Sequence, residues 1–231
     1  AERALYPLRG DLQDDLRPRN QTRSFADYDE ALEWFRERHE RLVSGVQLAA
    51  RLELDMIGWR LAWACTTFLD RCGFWEDYAA IQSAAASMAS RLGDQAAEAS
   101  SRRFLATALL RQGKTIEAGR ELDTAMELAR GDASAEARTA LALAFHYGDT
   151  NQPDLALRHA IDAEERYSVL GDEAARARAR SFVAWFRNLS DPGNPESMLE
   201  IAEAISVLER FDHRWELGHA KYHQGVIQAS R

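Results

Sequence analysis

The sequence has few residues that interrupt helices. Five prolines occur in 231 residues, and none lies between Arg19 and Gln152. Proline inside a helix costs about 3 kcal/mol, so this gap leaves room for a long succession of helices. Cysteine is nearly absent: Cys65 and Cys72 stand seven apart on one expected helix. Reduced, packed thiols suit a cytoplasmic chain, and two cysteines so placed do not make a disulfide scaffold. There is no long hydrophobic run. The longest uncharged stretch, residues 78–90, is too short and too rich in alanine and serine to span a bilayer. No signal peptide is read at the amino terminus, and the first residue is alanine, as expected of a piece of something larger. Positive charge is in deficit. The formal net charge is −8, so this segment is not expected to bind nucleic acid through an overall basic face.

What is present is a repeat. Gly-Asp recurs as Gly93-Asp94, Gly131-Asp132 and Gly171-Asp172, at spacings of 38 and 40 residues. Each interval holds two helical patterns with a glycine between them, Gly113 in the first and Gly148 in the second. A helix–turn–helix unit at this period is the mark of a solenoid, in which each unit buries its apolar face only by stacking on the next. The expected fold is therefore all-α, a helical-hairpin solenoid.

Residues 1–24 carry Pro7, Gly10 and Pro18 and no sustained period, which reads as a linker or an irregular arm. The repeat domain is expected over 25–231, beginning behind Ser24 as an N-cap. Helical patterns follow at about 27–39, 40–52, 55–70, 75–92, 95–111, 115–129, 133–147, 153–170, 172–189, 195–211 and 213–230, so about eleven helices. Pro153 and Pro195 suit first helical positions. The last helix looks like half of a pair.

Leu105-Ala106, Gly113, Ala118, Leu122 and Ala125 stand at the spacing of tetratricopeptide repeats, and Leu143-Ala144, Tyr147, Ala156, Ala160 and Ala163 repeat it. The chain resembles that family, which implies a right-handed α-α superhelix. Tyr78 departs from the pattern where Ala118 follows it. A second resemblance is carried by Tyr28-Asp29-Glu30-Ala31-Leu32-Glu33-Trp34-Phe35, by Glu37, Glu40 and Leu42, by Trp59-Arg60-Leu61 and Phe68-Leu69, and by Gly73-Phe74-Trp75. Over roughly residues 25–172 this is similar to the start of the C-terminal array of bacterial STAND-type transcription regulators, including antibiotic-pathway regulators. In those proteins a DNA-binding domain, a nucleotide-binding NB-ARC domain and a winged helix precede the repeats. The resemblance implies a sensor or autoinhibitory array whose ATPase and DNA-binding parts lie elsewhere.

No reaction is spelled out. The stretch 108–115, ending Gly113-Lys114-Thr115, passes a loose phosphate-loop pattern. A true phosphate loop follows a strand, whereas this one continues an amphipathic helix. Glu216, His219 and His223 share one face of the last helix, with neither a nearby cysteine nor a His-Glu-x-x-His, so an exposed or groove-lining role is expected over a metal site. His146 and His159 stand alone, and Asp14-Asp15 and Glu164-Glu165 read as solvated faces. Neither a catalytic residue, a cofactor nor a metal is expected.

The better candidate is the face lined by the first helix of each unit. In register, the repeats place there Arg60 and Trp63, Arg103 and Thr107, Arg138, Leu141 and Phe145, and Arg178, Trp185 and Asn188, with His219 and Tyr222 extending the row. Arginine matches carboxylate or phosphate, and aromatic rings anchor apolar groups. Surface ion pairing of the arginines and core packing of Trp63 and Trp185 are the competing readings. Three functions stay open: a regulatory module that captures another domain of its parent or an effector, a receptor for a short signalling peptide, and a scaffold or homo-oligomerisation array.

Overall fold

A computed structural model describes residues 25–211 and 214–230. The expected arm, residues 1–24, lies outside them. The described residues are all-α and form ten helices: α1 Tyr28–Arg51, α2 Asp55–Cys72, α3 Trp75–Arg91, α4 Gln95–Arg111, α5 Thr115–Leu128, α6 Ala133–Asp149, α7 Pro153–Leu170, α8 Glu173–Ser190, α9 Pro195–Arg210 and α10 Arg214–Ala229. No helix among them is long and apolar enough to cross a membrane. Both cysteines are free thiols, Cys65 buried and Cys72 partly so.

The count is one fewer than expected because 27–39 and 40–52 are a single helix. Nothing between His39 and Glu40 stops it, and Ala31, Phe35, Val43, Val46 and Ala49 keep one buried stripe through the supposed break. Its cap is Asp27, whose carboxylate accepts the Glu30 N–H at 2.9 Å, while Glu30 accepts the Ala26 N–H at 2.7 Å. That reciprocal pair satisfies one orphan donor of the first turn and ties down the residue before the cap.

The Gly-Asp marks are the joints between hairpins. Gly93, Gly131 and Gly171 take φ of 67°, 89° and 70°, a left-handed conformation that ends a helix. The aspartate beside each glycine then caps the next helix: Asp94 accepts from Ala97, Asp132 from Ser134 and Ala135, and Asp172 from Ala175. Gly148 is different. It lies inside α6, and the left-handed residue of that turn is Asn151, at φ 57°. Asparagine tolerates this conformation better than most side chains.

The chain divides into two compact units at Lys114/Thr115. In the first, α1 to α4 pack as consecutive hairpins, with α1 also touching α3 and α2 touching α4. Phe35 stacks on Phe68 at 5.1 Å in a core with Leu69, Tyr78, Ile81 and Met88. The buried Gln82 amide donates to the Ala62 carbonyl and the Thr66 hydroxyl, so its N–H groups are not buried without a partner. In the second unit each helix from α5 to α10 packs on its neighbours in sequence, and α8 also touches α10. Ala137, Ala140 and Ala144 of α6 and Ala156, Ala160 and Ala163 of α7 are fully buried in one core with Phe182 and Phe186 of α8. Small residues at a helix crossing allow the backbones to approach closely.

Gly148 is the tightest point of that core. A Cβ there would stand 2.5 Å from the Phe186 ring. We expect Gly148→Ala to destabilise the protein by about 1–3 kcal/mol through overpacking, although alanine is the better helix former. Urea unfolding of the two proteins measures it, and a gain in stability would show that Phe186 yields freely.

Candidate functional site

The residues assigned from sequence separate into three groups. Leu141 and Asn188 are interior. Leu141 is only 3% exposed and belongs to the α6–α8 core. Asn188 is 1% exposed; its amide donates to the Ser230 hydroxyl at 3.2 Å and its carbonyl accepts the Gly193 N–H at 3.2 Å. Asn188 therefore holds the α8–α9 turn and the end of α10 together, and neither residue faces a ligand.

The unit 1 residues are half-buried and locally engaged. Arg103 lies over the neighbouring Phe104 ring at 4.3 Å, and the Thr107 hydroxyl donates back to the Arg103 carbonyl at 3.1 Å. Arg60 has a buried Nε without a hydrogen-bond partner, and Trp63 is half-buried on the same helix. Near the end of this unit, Glu76, Ala79, Gln112 and Lys114 line a shallow open depression. The Gln112 amide is committed to the Trp75 carbonyl at 2.8 Å. Lys114 sits in a helix–turn–helix with no strand before it, so the phosphate-loop pattern has none of the geometry it needs.

In unit 2 the remaining candidates converge. Arg138 and Phe145 stand seven apart on α6, and Arg178 and Trp185 stand seven apart on α8. Two helical turns put each pair on one side of its helix. The pairs are also offset by 40 residues from each other (138 to 178, 145 to 185), so the unit repeats arginine-then-aromatic on successive first helices. Phe145 meets Phe182 edge-on at 4.4 Å. Phe182 meets His223 of α10 at 4.9 Å, and Trp185 stacks on His223 at 4.6 Å with the planes 10° apart. The row continues along α10 through His219 to Trp215 at 5.1 Å, with Tyr222 at 6.0 Å from His223. Tyr222 is 66% exposed and Trp215 47%, while Phe145, Trp185 and Arg178 are half-buried and Arg138 is exposed.

The face is thus a chain of rings across α6, α8 and α10 with arginines at its edge. The other arginines of α8 point away from it. Arg180 pairs with Glu164 and Glu203, and Arg187 with Glu196 and Glu200. Those four acids lie on α7 and α9, so these arginines brace the second helices.

Sequence reading missed Trp215 and Phe182 as members of the row. The periodic signal was available, because Trp215, His219 and Tyr222 fall at i, i+4 and i+7. His223 was expected at the surface or lining a groove, but it is buried against rings. Glu216 is buried too, and no group of three acid, cysteine or histidine side chains among the described residues could hold a metal.

Burial sets the charge of His223. Desolvation, with His219 beside it, pushes its pKa down to about 4, against a smaller opposing hydrogen bond to the Ser181 backbone carbonyl. Its Nδ1 has no partner. The ring is neutral at neutral pH and packs as an aromatic. No protein-family model matches the chain, and no curated protein is found similar to it.

A pKa held below the ordinary value of 6.5 stabilises the fold above pH 6.5, and that contribution is lost as pH falls toward about 4. Across that window wild-type stability should fall by up to about 1.4 kcal/mol per pH unit on account of this group. In His223→Leu that part of the slope should vanish. Urea titrations at a series of pH values check it, and equal slopes in both proteins would place the titration elsewhere.

Proposed function

We propose that the chain is a regulatory binding module that captures an acidic peptide segment bearing apolar side chains. Capture takes place on the arginine–aromatic face of α6, α8 and α10. The reading rests on one observation: arginine and aromatic recur in the same register on α6 and α8, and the buried Phe182 and His223 join those aromatics to the rings of α10. Arginine and large aromatics dominate the binding energy of protein interfaces. A carboxylate on the segment would pair with Arg138 or Arg178, and an apolar residue would sit against Phe145 and Trp185. On a chain of net charge −8, two arginines flanking an apolar strip also select for register by repelling basic segments.

The resemblance of residues 25–172 to the arrays of STAND-type regulators supplies the setting. There the segment would belong to the parent's own nucleotide-binding part or to an effector, and the protein would be cytoplasmic. Binding would switch the parent by having different affinity for its two states. No catalytic role is assigned to any residue of this chain. A signalling-peptide receptor is less well supported, because the asparagine that would hold a peptide backbone is Asn188, and its amide is already committed to Ser230 and Gly193.

The test is calorimetric titration with short synthetic peptides in which Asp or Glu flanks Leu or Phe. Micromolar binding is expected. Arg138→Glu combined with Arg178→Glu should weaken it by at least about tenfold, or 1.4 kcal/mol, while Arg60→Glu leaves it unchanged. Equal loss with Arg60→Glu would move the site off this face, and absence of heat with every acidic peptide would end the proposal.

A further inference from the structure

His146 and His159 stand apart in the sequence, but the fold gathers them beside one helix. His146 of α6 and His159 of α7 share the Tyr147 ring, which meets His146 at 5.2 Å and stacks on His159 at 5.1 Å with the planes 8° apart. On another side of His146 lies α5: a Cβ on its Gly119 would stand 3.2 Å from both Cε1 and Nε2 of that ring. Glycine inside a helix costs about 1 kcal/mol against alanine, and here it makes room for an imidazole. Among the described residues of unit 2, the extensive contacts of α5 are with α6. The helix buries Ala118, Leu122 and Ala125, which is little apolar area for 14 residues.

The joint suits a neutral ring. Nδ1 of His146 is buried with no hydrogen-bond partner, and Nε2 is turned toward Gly119. Imidazolium donates from both nitrogens, so a proton taken up here would leave a buried N–H unbonded and a charge out of water. Several charges face the cluster. Asp123 of α5, one turn beyond Gly119, and Asp149 of α6 favour the charged form of His146. Asp162 of α7 and Asp123 favour that of His159, and Arg158 opposes it. Desolvation outweighs them at both rings and holds each pKa below the ordinary 6.5. Both rings therefore take a proton more readily once α5 has left and water reaches them. The docked helix is favoured in full above pH 6.5, and that contribution is lost as pH falls through the folded-state values.

We propose that the seat of α5 on α6 is an acid-released joint: proton uptake by His146, joined by His159, drives the imidazole from beneath Gly119 and frees α5 from the rest of its unit. Opening uncovers the side of α5 that carries Ala118, Leu122 and Ala125. The device is separate from the arginine–aromatic face and operates without a bound segment. It is also separate from the His223 titration, which acts where α10 meets α8.

Native-state hydrogen exchange of the whole chain, read by mass spectrometry at about pH 7.5 and about pH 5.5 and corrected for intrinsic rates, follows the joint directly. Protection of residues 115–128 should fall several-fold at the lower pH. One pH unit below 6.5 sets a ceiling of about tenfold for each histidine. His146→Gln combined with His159→Gln, which do not titrate, should abolish the fall. His223→Leu should leave it in place, because α5 opens without unfolding the α8–α10 contact. The proposal is overturned if protection of α5 is the same at both pH values, if the glutamine pair keeps the fall, or if His223→Leu removes it. Should the glutamine variants misfold, nuclear magnetic resonance titration of His146 in the wild type decides. A midpoint below 6.5 is expected, and one at or above it overturns the proposal.

Discussion

Ala137, Ala140 and Ala144 on one helix, and Ala156, Ala160 and Ala163 on the next, have no exposed surface at all. Side chains this small contribute little apolar area each, roughly one methyl apiece. Their value is distance: they let two helix backbones come close enough that the larger residues behind them, Phe182 and Phe186, close the layer. Everything else in unit 2 depends on that approach. It fixes which side of α6 and α8 is turned inward, and so which side is left to carry Arg138, Phe145, Arg178 and Trp185. A larger residue at one crossing would disturb the face without touching it.

Electrostatics sorts the arginines by the same geometry. Those on the sides turned toward second helices form struts: Arg166 of α7 with Glu136 of α6, Arg187 of α8 with Glu200 of α9. Arg187 meets Glu200 through two parallel bonds, at 3.0 and 2.8 Å, and that pairing holds its guanidinium in the charged form. Glu164 shows the cost of serving two partners from a half-buried position. Burial raises its pKa although Arg180 and Arg176 both pull it down. Arg180 and Arg187 of α8 are thus committed to acids inside the unit, which leaves them little to offer a partner.

Much of this was legible in the residues. The Gly-Asp joints could be read because each residue has a separate local task, a left-handed helix end and an N-cap, and neither task needs tertiary information. The alanine spacing was legible for a similar reason, since it is a surface property of one helix. The errors share a different cause. The division at His39/Glu40 treated a change in pattern as a break, yet nothing there removes a backbone hydrogen bond. Gly148 looked like a turn glycine, and only the position of Phe186, thirty-eight residues on, reveals it as a packing hole. Leu141 and Asn188 were assigned to a face by register alone, and register does not say how deep in a layer a residue lies. Asn188 is interior because Ser230, far along the chain, supplies its partner.

His223 draws these threads together. A histidine on a surface helix is ordinarily half charged near neutral pH. Here burial against Phe182 and Trp185 removes the charge, and the neutral ring lies in a parallel stack with an indole at 4.6 Å. The neutral ring ties α10 to α8, and in doing so it presents His219, Tyr222 and Trp215 as a continuation of the α6–α8 row. One desolvated imidazole, buried itself, thus fixes which exposed rings of the last helix lie next to the α6–α8 row.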